Sequence, residues 1–192
     1  MRIFSAVESN APSNVAGNIR IIKQILFTFT FVLLTHVSWP ATFAKTGASA
    51  GVQKLESLAG DWEGKDERGK PVKTSFKLIA GETAVLETLA MPGMEEMVTI
   101  YSQDGDGIAL LHYCPTNNQP RMRATPPPGE VKELVFAFEG AGNLTSPDDG
   151  HEHKLVIEFM DKDHITEHWT WRSNGKDTET VYRFARKNGQ TK

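Results

Sequence analysis

The chain of 192 residues has one cysteine, Cys114, so no intrachain disulfide is available and no lipid-modified cysteine can follow a leader. It also lacks clustered basic charge. Its 21 Lys and Arg are scattered among 24 Asp and Glu, a formal charge of −3, and such a surface does not suit nucleic acid. Internal repeats are absent, and past Trp62 no long stretch carries the helical period, which excludes a helical bundle. Long hydrophobic runs are missing too. The longest, Ile25 to Leu34, is too short for a comfortable membrane span.

That run nevertheless has a recognisable setting. Arg20 and Lys23 precede it and a small-residue tail ending at Ala44 follows, which is the layout of a secretory signal peptide over 1–44. The competing reading is an uncleaved anchor. Cleavage after Ala44 removes Arg2, Arg20, Lys23 and Glu8, leaving 18 basic and 23 acidic residues and a formal charge of −5. The expectation is an exported protein, periplasmic or extracellular, that meets the membrane only through its leader before cleavage. Residues 45–51 then read as a linker, 52–187 as a single domain and 188–192 as a tail. At this size roughly two thirds of the unfolded chain's surface leaves water on folding, enough to hold the domain together without disulfides.

Ten short β-type runs fill the domain, at 60–66, 71–80, 82–91, 96–103, 107–114, 120–125, 132–139, 152–160, 164–172 and 177–186. Turn chemistry separates them, most clearly at Asn174-Gly175, a pair that tolerates the two left-handed positions of a type I′ hairpin turn. Alternation assigns the faces: Val72, Thr74, Phe76 and Leu78 share one, as do Leu134, Phe136 and Phe138, and Leu155, Ile157 and Phe159. Only "GVQKLESLA" offers a helix, too little to cover an open sheet. The prediction is an all-β fold, a closed antiparallel up-and-down β-barrel of about ten strands with a short N-terminal helix. Prolines 115, 120 and 126 to 128, with the loop 140–150, would rim its mouth.

One motif gives the fold a family likeness. Gly60-Asp61-Trp62, after a helical turn and ahead of the strands, resembles the Gly-x-Trp signature of the lipocalins and the wider calycin superfamily. The runs "LHYC", "NQPRM", "HKLVIEF" and "HWTW" look like those of exported bacterial lipocalin-like domains of uncharacterised function. The resemblance implies that Gly60 and Trp62 close the barrel floor under a basic residue of the last strand, Arg183, or Arg186 if the register slips. Other family features are missing: there is no Thr-Asp-Tyr motif, and Tyr182-Arg183 are adjacent, so the Arg-x-Tyr clamp of fatty-acid-binding barrels is not formed. Trp62-Glu63-Gly64 matches only the start of the glycine-rich opening of nitrobindin-like barrels, so their haem site is not implied and no cofactor is expected.

The function expected is binding of a small, largely apolar molecule in the lumen, with Phe76, Phe136, Phe138, Leu155, Ile157 and Trp169 as apolar contacts and His112, His153 and His168 as polar ones. No catalytic set is identified. A second reading is a metal carrier or metal-dependent enzyme centred on His151 and His153, two apart on a strand, with His112, His168 or Glu167 as third ligand. In it His153 shares the inward parity of Leu155 and Ile157. If Trp169 and Trp171 point outward, His168 and Thr170 point into the lumen. Arg121 and Arg123 near the proline-rich rim are candidates for an anionic ligand, and Cys114 reads as a small buried hydrophobe. A third reading is a barrel filled by its own side chains that acts as a protein-interaction module.

Overall fold

A computed structural model describes residues 49–187. The leader, and the export it implies, lie outside the described residues. The described chain opens with α1 (Ala50–Glu56) and continues as β1 (Gly60–Asp66), β2 (Pro71–Ile79), β3 (Ala84–Ala90), β4 (Met97–Asp104), β5 (Gly107–Tyr113), β6 (Gln119–Ala124), β7 (Glu133–Gly142), β8 (His151–Phe159), β9 (His164–Ser173) and β10 (Lys176–Arg186). The ten strands form a closed barrel in which each pairs antiparallel with its sequence neighbours and β1 pairs with β10. Closure leaves no strand edge unpaired, as the meander of hairpins requires. The expected all-β barrel of about ten strands is borne out.

The helix starts within the stretch assigned to the linker. Ser49 caps it, its hydroxyl accepting a bond from the Val52 amide at 3.3 Å, and Val52 and Leu55 are buried against the barrel. Strand β1 carries the chain straight on from this plug. Trp62 lies opposite Thr74 of β2 and Arg186 of β10 and is 1% exposed. Gly64 stands where β10 crosses most closely, and a Cβ there would collide with the Arg183 carbonyl. At the β9–β10 hairpin Asn174 has φ 51° and Gly175 φ 68°, the two left-handed positions of a tight turn.

Up-and-down order sorts the loops to two ends. The helix and the β2–β3, β4–β5, β6–β7 and β8–β9 connections gather at the Trp62 end. The other five connections ring the opposite end, the mouth. Between them the inward faces of β2, β3, β7 and β8 supply Val72, Phe76, Val85, Leu89, Leu134, Phe136, Leu155 and Ile157, all buried. Each such side chain contributes about 1.5–3 kcal/mol of burial free energy. The lower barrel is therefore a packed core.

The β8 strand departs from simple alternation. Its pairing with β9 shifts between Glu152 and Lys154: Leu155 faces Trp169 and Glu152 faces Trp171. Three residues on β8 thus match two on β9, a β-bulge that turns Glu152 to the same side as Leu155. His153 is the displaced residue. The parity argument that placed it inward fails at this one insertion.

Candidate functional site

Trp62 and its cation define the closed end. The indole Nε1 donates to the Leu58 carbonyl at 2.8 Å, and the Arg186 guanidinium lies 4.2 Å from the ring centre. The same guanidinium donates to the carbonyls of Ala59 and Ser57, each at 2.9 Å, tying the helix exit to the last strand. Arg183, the first candidate for this role, is exposed and pairs with Lys65 on the outside of the barrel. Tyr182, Phe184 and Arg186 share the opposite parity, which is why the later arginine reaches the ring.

Above this floor lies a belt of buried polar groups that the sequence reading did not assemble. Glu87 is fully buried and accepts hydrogen bonds from the Tyr101 hydroxyl at 2.6 Å and the Thr74 hydroxyl at 2.9 Å. Glu167, equally buried, is in hydrogen-bonding contact with Glu87 and accepts from Trp169 Nε1 at 3.0 Å. Glu167 Oε1 meets no N–H or O–H donor of the protein. Two carboxylates in contact out of water require a proton between them. Burial pushes both carboxyl groups up, and for Glu167 the charge of Glu87 adds to it. Burial, with the same two charges behind it, also drives the Tyr101 hydroxyl well above its ordinary range.

His112 completes the belt. Its Nδ1 lies 2.9 Å from the Thr99 hydroxyl, its ring lies 4.7 Å from that of Trp169, and burial holds it down to about 4, so it is neutral at pH 7. The signal for the belt was available. Glu87 stands between Val85 and Leu89, and Glu167 between Ile165 and Trp169, at the parity of apolar neighbours. A carboxyl group there must find buried partners.

The mouth holds an open cavity of about 840 Å³. Val72, Met91, Met97, Cys114, Trp171 and Tyr182 give it an apolar wall, with Glu152 and Thr180 among them and Asp66, Glu67, Arg68 and Lys70 at the β1–β2 rim. Glu152 Oε2 is shut off from solvent without a hydrogen-bond partner, and burial pushes this carboxyl up to about 7. Asp66 uses its Oδ1 to accept from the amides of Arg68 and Lys70, which shapes the rim turn.

The residues expected to contact a ligand are distributed otherwise. Phe76, Phe136, Leu155 and Ile157 are buried in the lower core: Phe76 meets Trp62 edge-on at 6.4 Å and Phe136 meets Tyr101 at 5.5 Å. None of them lines the mouth cavity, nor do His112 and Trp169 of the belt. Trp169 and Trp171 face inward, so His168 faces outward, between Glu158 at 3.5 Å and Glu179 at 3.6 Å. The alternative that placed His168 and Thr170 in the lumen is corrected by that parity. Arg123 is paired with Asp104 and Asp106, and Arg121 is exposed.

His151 and His153 lie together in a separate recess with Phe138, Leu144, Pro147 and Arg172. The Phe138 ring is 4.6 Å from His151 and 4.8 Å from His153. His151 Nδ1 faces the Asp149 carbonyl at 2.7 Å, so it carries the proton, and in the neutral ring Nε2 accepts from His153 Nδ1 at 3.1 Å. Burial, then the Arg172 and His151 charges, hold His153 below its ordinary value. Among the described residues no group of three or more His, Cys, Asp or Glu is disposed to hold a metal ion.

No family model matches the chain, and no curated protein matches it significantly. Among solved structures, the crystal structure of Rv2717c from M. tuberculosis is similar, with a TM-score of 0.52 over 73% of this chain and 99% of that one. At 14% identity the likeness shows the fold alone, and the fold it shows is the closed β-barrel described above.

Proposed function

We propose that this chain is an exported, lipocalin-like carrier that binds a small, largely apolar molecule in its mouth cavity. The observation that carries the reading is the cavity itself: about 840 Å³, within the range of small-molecule sites, walled by the thioethers of Met91, Met94 and Met97, the rings of Trp171 and Tyr182 and the side chain of Val72. The belt of Thr74, Glu87, Thr99, Tyr101, His112 and Glu167 supports it from below: it begins one inward position beyond the cavity residues Val72 and Met97, and its groups bond to one another. The Gly-x-Trp motif at the floor and the leader-like segment 1–44 support the lipocalin-like and exported parts of the reading.

Native mass spectrometry of protein purified from its own compartment tests this. The expected result is a bound organic mass that is lost in Val72→Trp, where an indole occupies the cavity, while N-terminal sequencing finds a start after Ala44. Bare protein that also binds no apolar probe overturns the carrier reading. A full-length start at Met1 overturns the export.

A further inference from the structure

One wall of the mouth cavity carries an acid that the protein leaves without a partner. The β8 bulge turns Glu152 into the lumen opposite Trp171, and among the described residues no donor reaches its buried Oε2. The hydroxyl of Tyr182 lines the same cavity but is directed to Met91 Sδ at 3.4 Å. Trp171 packs directly on Gly150, where a Cβ would collide with the indole, and lines the cavity wall. Among the described residues Arg68 and Lys70, the bases at the rim, form no ion pair with Glu152. Burial first, then the charges of Glu152, Glu167, Asp66 and Glu67, push the Tyr182 hydroxyl up to about 12.

Chemistry then separates the classes of apolar ligand. A carboxylate is repelled by Glu152, and a hydrocarbon leaves its oxygen unsatisfied at a cost of about 1–3 kcal/mol. An alcohol donates one hydrogen bond to the carboxylate but leaves its charge without a counter-charge. An ammonium group supplies a charge-assisted bond and gains from aromatic faces beside it. We propose that the mouth cavity takes an amphipathic organic amine, its apolar body against Val72 and Met97 and its ammonium group on Glu152 between Trp171 and Tyr182. The inference rests on the carrier reading and names the ligand class for the same cavity.

Calorimetric titration with decylamine, decan-1-ol and decanoate, matched in chain length, at about pH 8 where the amine is charged, tests it. Decylamine is expected to bind about tenfold or more tightly than decan-1-ol, with decanoate weakest. Glu152→Gln removes that preference by lowering decylamine affinity about tenfold or more, and Glu152→Asp, one methylene shorter, lowers decylamine affinity to an intermediate value. Equal or tighter binding of the alcohol or the carboxylate, or a preference that survives in Glu152→Gln, overturns the amine and leaves the carrier reading standing. No binding of any of the three overturns both.

Discussion

Arg186 covers the indole of Trp62 at 4.2 Å while donating to the carbonyls of Ser57, Leu58 and Ala59 at the exit of α1. The pair joins the first and last strands of the barrel and the helix beneath them. Charge-assisted bonds and ring contact together make Arg186→Ala a loss of about 2–4 kcal/mol. Arg183→Ala, on the exposed face of the same strand, should change stability by less than about 0.5 kcal/mol. Urea unfolding of the two variants measures the difference, and equal effects would refute the assignment of the cation.

Trp62→Phe should keep the floor apolar but leave the Leu58 carbonyl without its indole donor, a loss of about 1–3 kcal/mol. Trp62→Ala adds a cavity, for about 3–5 kcal/mol in total. The ordering Ala below Phe below wild type in thermal midpoint checks both contributions.

Stability should fall as the solution turns alkaline. Glu87 and Glu167 have folded values raised above the ordinary 4.5, so the folded chain keeps protons that the unfolded chain has released. Their contribution is full below about pH 4.5 and is lost as pH rises toward the folded values. His112, held down to about 4 from 6.5, acts in the opposite sense between those two values. For as far above pH 4.5 as the folded chain holds these protons, each adds a slope of up to about 1.4 kcal/mol per pH unit toward lower stability. Glu167→Gln keeps an oxygen for Trp169 and offers a permanent N–H to Glu87. Free energies of unfolding across pH should decline less in that variant.

The unpartnered acid of the cavity predicts a gain on its removal. Burial raises Glu152 to about 7, so ionising it in the folded protein has a cost that is fully present above that pH and absent below about 4.5. Glu152→Gln should therefore stabilise the ligand-free protein by about 1–3 kcal/mol at pH 8 and by little at pH 4.5. Thermal unfolding at the two pH values is the check.

Cys114 lines the cavity and is a free thiol. A small alkylating reagent should modify it in the native protein, and saturating decylamine should slow that reaction about tenfold or more. Labelling unaffected by a bound probe would place the probe elsewhere.

The two-residue alternation of β2, the turn at Asn174-Gly175 and the glycine-flanked Trp62 sufficed to read the barrel and its floor from sequence, because each is a local constraint. The candidate site was less legible for a physical reason. The bulge at Glu152–Lys154 moves one residue out of step, and nothing in "HEHKLVIEF" marks where the insertion falls. Glu152 was consequently overlooked and His153 placed inside. Apolar parity identified Phe136, Leu155 and Ile157 as inward, but inward residues of a barrel are either packed core or cavity wall. Only the distance of each from Trp62 along its strand separates the two.

The mutual hydrogen bonding of Glu87, Glu167 and Tyr101 has a further result for the proposed carrier. Under the carrier reading, a bonded layer of this kind beneath the mouth leaves a ligand one route, so it would enter and leave by the same door. Across a homologous series, affinity should climb with each added methylene until the tail touches the partition. Beyond that point extra carbons trail into water and contribute nothing.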